Sequence, residues 1–198
     1  MLLALLFAAP VAAGGVALQL VPSATAVEAG ETVDIDVVVS GLGGFSSPAL
    51  RTFDVTVTFD PAIFAYDSIL AGVLLGDAMA ATPEATVTIS PGVDGVRVLE
   101  VSFLATPDLL ALQPASFTLL TATFAAAGPG DGDFDLVLAG HLGDELADPL
   151  TPGGQGGTSV TVMAPPTLEI PTLSPWGLAL MLVALAAAGL ARLRGMGR

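Results

Sequence analysis

Two stretches of the chain alternate so regularly that they direct the whole reading of its fold. In Thr32-Val33-Asp34-Ile35-Asp36-Val37-Val38-Val39 and in Phe53-Asp54-Val55-Thr56-Val57-Thr58-Phe59, every second residue is apolar and most of the others are Asp or Thr. A strand repeats its side-chain direction every two residues, so this spacing buries one face and wets the other. Further strands are predicted at 16–21, 64–69, 85–89, 96–104, 117–125, 134–138 and 159–163, with a single helical turn at 107–112. That makes about nine strands, with Gly, Pro, Asp and Ser turn signals roughly every 8 to 15 residues. The pattern predicts an all-β antiparallel sandwich rather than a parallel sheet alternating with helices. No internal repeat is visible.

The chain has 198 residues and no cysteine, which excludes thiolate nucleophiles, Cys-ligated zinc and disulfide cross-links. With both apolar ends removed, about 155 residues remain, enough to bury a core without staples. Charge is lopsided. All 19 acids lie between Glu28 and Glu169, where only Arg51 and Arg97 oppose them, and the net charge is −14. There is no lysine, so no phosphate-tracking surface can form and nucleic acid is excluded as a partner class. Such a surface favours divalent cations, basic partners or neutral sugars; plain solubility or adaptation to salt explains it equally.

The two ends predict two different jobs. Residues 1–13, MLLALLFAAPVAA, form a short apolar run that turns small-residue-rich before Gly14, the shape of a secretory signal peptide cut after Ala13. No Lys or Arg precedes the run. The alternative, a buried N-terminal helix, fits poorly because strand pattern follows at once. At the other end, 176–191 is uninterruptedly apolar, and at 1.5 Å per residue it spans roughly 24 Å, just enough for a thin bilayer. Arg192, Arg194 and Arg198 follow. By the positive-inside rule they stay cytoplasmic, which puts the acidic body outside and agrees with an N-terminal signal. A transmembrane helix at 176–191 is therefore expected.

The segment Ile170-Pro171-Thr172-Leu173-Ser174-Pro175-Trp176-Gly177, followed by an apolar helix and a basic end, resembles the IPTL-CTERM protein-sorting domain, a relative in design of the PEP-CTERM signals of Gram-negative bacteria. The resemblance covers residues 170–198. It implies an exosortase-type sorting transpeptidase as a partner, with the membrane as a way station and the cell surface or extracellular matrix as the destination. Ile170, Pro171, Thr172, Leu173, Ser174, Trp176 and Gly177 would be the motif, and Arg192, Arg194 and Arg198 the stop-transfer end. The physical logic agrees. Pro171 and Pro175 keep the residues before them extended and readable by a peptidase, and Trp176 suits the membrane interface. The alternative is a plain juxtamembrane linker.

The body, residues 15–163, resembles the cohesin domain, a nine-stranded jelly-roll sandwich. The resemblance rests on VEAGETVDIDVVVSGL, FDVTVTFDPAIFAYDSILAGVLLGD, VRVLEVSFL and SFTLLTATFAA. In FDPAIF, Asp60 and Pro61 would end one strand and turn the chain into the next. Residues 164–169 would link body and tail. These motifs are structural and are shared with related carbohydrate-binding sandwiches. The cohesin resemblance implies a flat sheet face that receives a dockerin-like protein. Carried over by strand, the outward positions are Asp54, Thr56 and Thr58, with Glu100 and Ser102 on a neighbouring strand. A solvated outer sheet would look the same.

Little else carries chemistry. His141 is the single histidine and there is no cysteine or lysine, so nucleophile–His–acid triads, thiol dyads and His-rich metal sites are not expected. An Asp/Glu pair could serve a glycosidase, but the acids sit mostly on wet strand faces and aromatic residues for sugar stacking are few. Asp131, Asp133 and Asp135 in GDGDFD could offer alternate oxygens to calcium; an Asp/Gly turn before a strand is the alternative. No cofactor is otherwise expected. The leading expectation is an exported, non-enzymatic module that binds a protein partner or polysaccharide. The alternative is a purely structural acidic component of the cell surface or matrix.

Overall fold

In a computed structural model, the structure describes residues 15–165 together with the helical positions Ala179, Leu182 and Val183. The chain divides after Pro165 into two units, and all the described strands belong to the first. They begin with β1 (Val16–Pro22), β2 (Ala26–Glu28), β3 (Thr32–Ser40), β4 (Leu50–Phe59), β5 (Phe64–Ala71), β6 (Ala85–Pro91) and β7 (Gly95–Ser102). A short helix, α1 (Thr106–Leu112), precedes β8 (Ser116–Ala126), β9 (Gly130–Leu138), β10 (Leu142–Asp144), β11 (Pro149–Leu150), β12 (Pro152–Gly156) and β13 (Thr158–Met163).

The strands form two sheets. One has five strands in the order β12-β1-β3-β8-β5. In the other, of eight strands, β4 pairs with β7 on one edge and with β9 and β10 on the other; β6 continues beyond β7, and β13 and β2 beyond β9. The alternation predicted in β3 and β4 sets their faces: Val33, Ile35, Val37 and Val39 are buried from one sheet, and Phe53, Val55, Val57 and Phe59 from the other. Strand β8 carries an irregularity opposite Val37/Val38, which leaves both Leu119 and Leu120 buried, as the extra residue of a bulge does. Where the sheets meet, Phe124 of β8 stacks between Phe59 and Phe134, with ring centroids 5.1 and 4.9 Å away.

The turn between β4 and β5 follows from FDPAIF. Asp60 Oδ1 accepts the Ala62 N–H at 2.8 Å, and the Asp60 carbonyl accepts the Phe64 N–H at 2.8 Å. This closes an Asx-type turn that carries the chain from one sheet to the other.

Two expectations are corrected. Among the described residues thirteen strands replace the expected nine, because β2, β10, β11 and β12 are only two to five residues long, too short to carry an alternation to read. The sheets are not wholly antiparallel: β1 runs parallel to β12 and β2 parallel to β13. Among the described residues no helix is long and apolar enough to cross a membrane. The expected span at 176–191 lies outside those residues except at Ala179, Leu182 and Val183.

Gln113 locks the end of α1 to the sheet. Its buried amide oxygen accepts the Leu50 N–H at 2.6 Å, while its nitrogen donates to the carbonyls of Leu50 at 2.6 Å and Leu74 at 3.1 Å. Nothing in the hydrophobic period announces this role, since a glutamine's amide can substitute for a missing strand partner anywhere the backbone needs one.

Candidate functional site

Strand β4 supplies the middle of the outer face of the eight-stranded sheet. With Phe53, Val55 and Val57 turned inward, Thr52, Asp54, Thr56 and Thr58 turn outward. Across the strand pair, Leu99 lies opposite Asp54 and Arg97 opposite Thr56 on β7; Val137 lies opposite Thr56 and Asp135 opposite Thr58 on β9. Residues directly opposite in a ladder share a face, so the face mixes threonine, aliphatic side chains and one arginine. Phe103, just beyond β7, is 61 % exposed.

The arginine is held in place. Arg97 donates from Nε to Asp54 Oδ1 at 2.8 Å and from Nη2 to Asp54 Oδ2 at 2.6 Å, a two-pronged pairing that fixes the guanidinium plane. The Arg97 hydrogen bond holds the Asp54 carboxyl below the usual range against the raising effect of burial. The Arg97 side chain stays 52 % exposed, so Asp54 serves to present Arg97 rather than to face solvent itself. Of the predicted face residues, Thr56 and Thr58 are half-buried and turned outward.

Glu100 and Ser102 are corrected. The register sets Glu100 opposite Phe53 and Ala85 opposite Ser102, so both point to the core side of β7. Ser102 is buried, and its hydroxyl accepts the Leu104 N–H at 3.2 Å. Glu100 is 1 % exposed and neither carboxyl oxygen has a hydrogen-bond partner. Burial pushes its carboxyl up to about 7, because the charged form loses its hydration and gains nothing in return. The sequence conceals this. In VRVLEVSF both parities of β7 carry apolar residues, so alternation cannot say which face owns the glutamate.

A second polar cluster ties the start of β4 to the β10 region. Glu145 is buried and its Oε2 accepts the Ala49 N–H at 2.9 Å. Burial works to raise its carboxyl, but hydrogen bonds from Ser47 and from that N–H outweigh it and hold the group below the ordinary range. Arg51 Nε donates to the Glu145 carbonyl at 2.9 Å, as does the Thr106 hydroxyl at 3.2 Å. Every member has a partner within the fold, and the cluster is structural.

The three aspartates singled out for calcium are not a loop. Asp131, Asp133 and Asp135 alternate along β9, all exposed, with Gly132 and Phe134 buried between them. Neighbouring carboxylates on such a strand stand roughly 7 Å apart, and a strand cannot curl them onto one ion. Asp131 Oδ1 accepts the Thr161 hydroxyl at 2.7 Å. Gly132 has a packing reason to be glycine, since a Cβ there would run into the Phe64 ring. Among the described residues no group of three His, Cys, Asp or Glu side chains converges as metal ligands would.

The sorting-motif residues Ile170, Pro171, Thr172, Leu173, Ser174, Trp176 and Gly177, and the arginines Arg192, Arg194 and Arg198, lie outside the described residues. For that segment a family model decides: residues 170–195 match the IPTL-CTERM motif. No curated protein sequence matches the chain. For the body, solved structures decide the fold. The sixth cohesin of scaffoldin B from Acetivibrio cellulolyticus, solved in complex with a Cel5 dockerin mutant, aligns with a TM-score of 0.59 at 17 % identity, over 76 % of this chain and 100 % of that one. A non-cellulosomal cohesin from the archaeon Archaeoglobus fulgidus gives 0.56 at 7 % identity, over 76 % and 92 %. The cohesin module of a family 33 glycoside hydrolase from Clostridium perfringens gives 0.56 at 11 %, over 77 % and 98 %. The chain is thus a cohesin-like all-β sandwich followed by an IPTL-CTERM motif at residues 170–195.

Proposed function

We propose that the chain is an exported, non-catalytic binding module that docks a protein partner on the outer face of its eight-stranded sheet. The observation that carries this is the pairing of a cohesin-like sandwich with a C-terminal sorting motif. Cohesins solved with dockerins bound include those of Acetivibrio cellulolyticus and Clostridium thermocellum. On this chain the chemistry offered is an outer face of Thr56, Thr58, Leu99 and Val137 around a pre-oriented Arg97. Arginine among aliphatic side chains is the composition of protein interfaces, whereas a sugar site would call for more aromatic surface.

In this reading residues 1–13 direct export, 15–163 form the module, 164–169 link it to the tail, and 176–191 span the inner membrane in transit. An exosortase-type transpeptidase then cuts at or near 170–177. Mass spectrometry of the protein released from the cell surface is expected to show a C-terminus inside or before that motif, without Arg192, Arg194 and Arg198. Surface material ending at Arg198, or retention of the whole chain in the inner membrane, contradicts the sorting half.

A specific observation favours a purely structural alternative. Asp34 and Asp36 accept the hydroxyls of Thr123 and Thr121, directly opposite them, at 2.7 and 2.5 Å. Such acid–threonine pairs occupy one another and make a well-solvated wall, which is what an acidic surface component needs. A hydrolase is the weakest reading. Glu100 shares its surroundings with the carboxylate of Asp77, but Asp77 Oδ1 is taken by the Met79 N–H at 2.7 Å, and among the described residues no aromatic side chain lines that place to stack a sugar.

A further inference from the structure

Strand β5 ends the five-stranded sheet and β6 ends the other, so the sandwich has an open side between them. There lies a cleft of about 310 Å³, at the small end of the range of ligand sites, roughly 300–1,000 Å³. Its wall is made by Ile69, Leu70, Val73, Met79, Val87 and Ile89. Leu70 is 75 % exposed, and Val73 and Met79 are exposed beside it. A group of large apolar side chains left open to water around a concavity marks a place that something covers.

The cleft also contains Glu100. Among the described residues, its two carboxyl oxygens are the buried side-chain atoms without a hydrogen-bond partner; Asp54, Ser102, Gln113 and Glu145 all have theirs. An unpartnered buried carboxyl costs folding free energy, and no hydrogen bond among the described residues offsets it. Among the described residues no arginine or histidine lines the cleft, whereas Asp77 does.

We propose that this cleft binds a small amphipathic amine, with its ammonium group against Glu100 and its apolar body along Ile69, Val87 and Ile89. An ammonium brings three N–H donors and a positive charge to two vacant acceptors. An anionic head group would meet Glu100, Asp77 and the protein's net charge of −14, a field that repels it. A sugar would leave hydroxyls unpaired against aliphatic side chains. The site lies on the opposite side of β7 from Leu99 and Arg97, so it is independent of the docking face and does not rest on that reading.

Calorimetric titration of the full-length chain with n-hexylamine at neutral pH tests this, with hexan-1-ol and hexanoate as matched probes. Saturable binding of hexylamine is expected, with none for hexanoate. Glu100→Gln, which keeps the shape, is expected to weaken hexylamine by about tenfold or more, equivalent to at least ~1.4 kcal/mol. A melting curve reports whether that variant is folded. Leu70→Arg, at an exposed rim position that tolerates substitution, adds a cation at the mouth and is expected to weaken hexylamine as well. Absence of saturable hexylamine binding to the folded protein overturns the proposal. So does equal affinity for wild type and both variants, or hexanol binding as tightly as hexylamine.

Discussion

Replacing Phe124 with alanine is expected to destabilise the body by about 3–5 kcal/mol, the range for deleting a buried aromatic ring. Phe124 is fully buried and belongs to the five-stranded sheet, while its partners Phe59 and Phe134 belong to the other. Tyr66 approaches edge-on at 6.2 Å, and Phe64 continues the cluster through Phe134 at 4.7 Å. Truncation therefore removes packing from both sheets at once and leaves a cavity that rigid strands cannot collapse. Against a total stability of about 5–15 kcal/mol for a domain, the loss is a large fraction, and the melting temperature should fall on the order of 10 °C. Phe103→Ala is the control. That ring is mostly exposed, and the change should stay within about 0.5 kcal/mol. Similar melting temperatures for the two variants would contradict the placement of the core.

The second large effect is a pH dependence set by Glu100. Its carboxyl is pushed up to about 7 from an ordinary 4.5. Between those values the unfolded chain releases a proton that the folded chain keeps, so the folded state loses stability as pH rises from about 4.5 to 7 and levels off above. The total is about 3 kcal/mol. Asp54 and Glu145, whose carboxyls are held low, act in the opposite sense and in a lower window: their contributions are lost only as pH falls through the folded values. In Glu100→Gln the decline between pH 4.5 and 7 should vanish. Because every other titratable group is common to both proteins, subtracting the two stability curves isolates Glu100. Parallel curves would show that the carboxyl is hydrated or partnered in solution.

The same residue shows where the sequence is legible and where it is not. Strands β3 and β4 put apolar residues on one parity only, and their buried faces follow directly from that period. In β7, Val96 and Val98 share a parity with Glu100 and Ser102, while Leu99, Val101 and Phe103 occupy the other. Only the pairing with β4, which seats Glu100 across from Phe53, decides that the acid faces inward. Two of the five residues expected on the binding face, Glu100 and Ser102, are misplaced for this reason. Asp54 is turned to the expected side but spends its carboxylate on Arg97, a partner 43 residues away that no local pattern announces. The aspartates of β9 mislead in another way. Alternate acids separated by glycine suit a calcium loop and an outer strand equally, and the strand is chosen by contacts distant in sequence, Gly132 against the Phe64 ring and Thr161 against Asp131.

The docking face is tested most directly by a double substitution that leaves the core alone. Thr56→Arg together with Val137→Arg places two long cations at directly opposite positions in the middle of the sheet. Binding of wild type and variant to fractionated cell-surface extract, followed by interferometry beside melting curves of both, is the decisive measurement. A binding module predicts a saturable protein partner whose affinity falls by about tenfold or more in the variant while the melting temperature holds. Saturable binding that is indifferent to the two arginines, or no saturable binding by the folded wild type, contradicts it and leaves a structural acidic surface component.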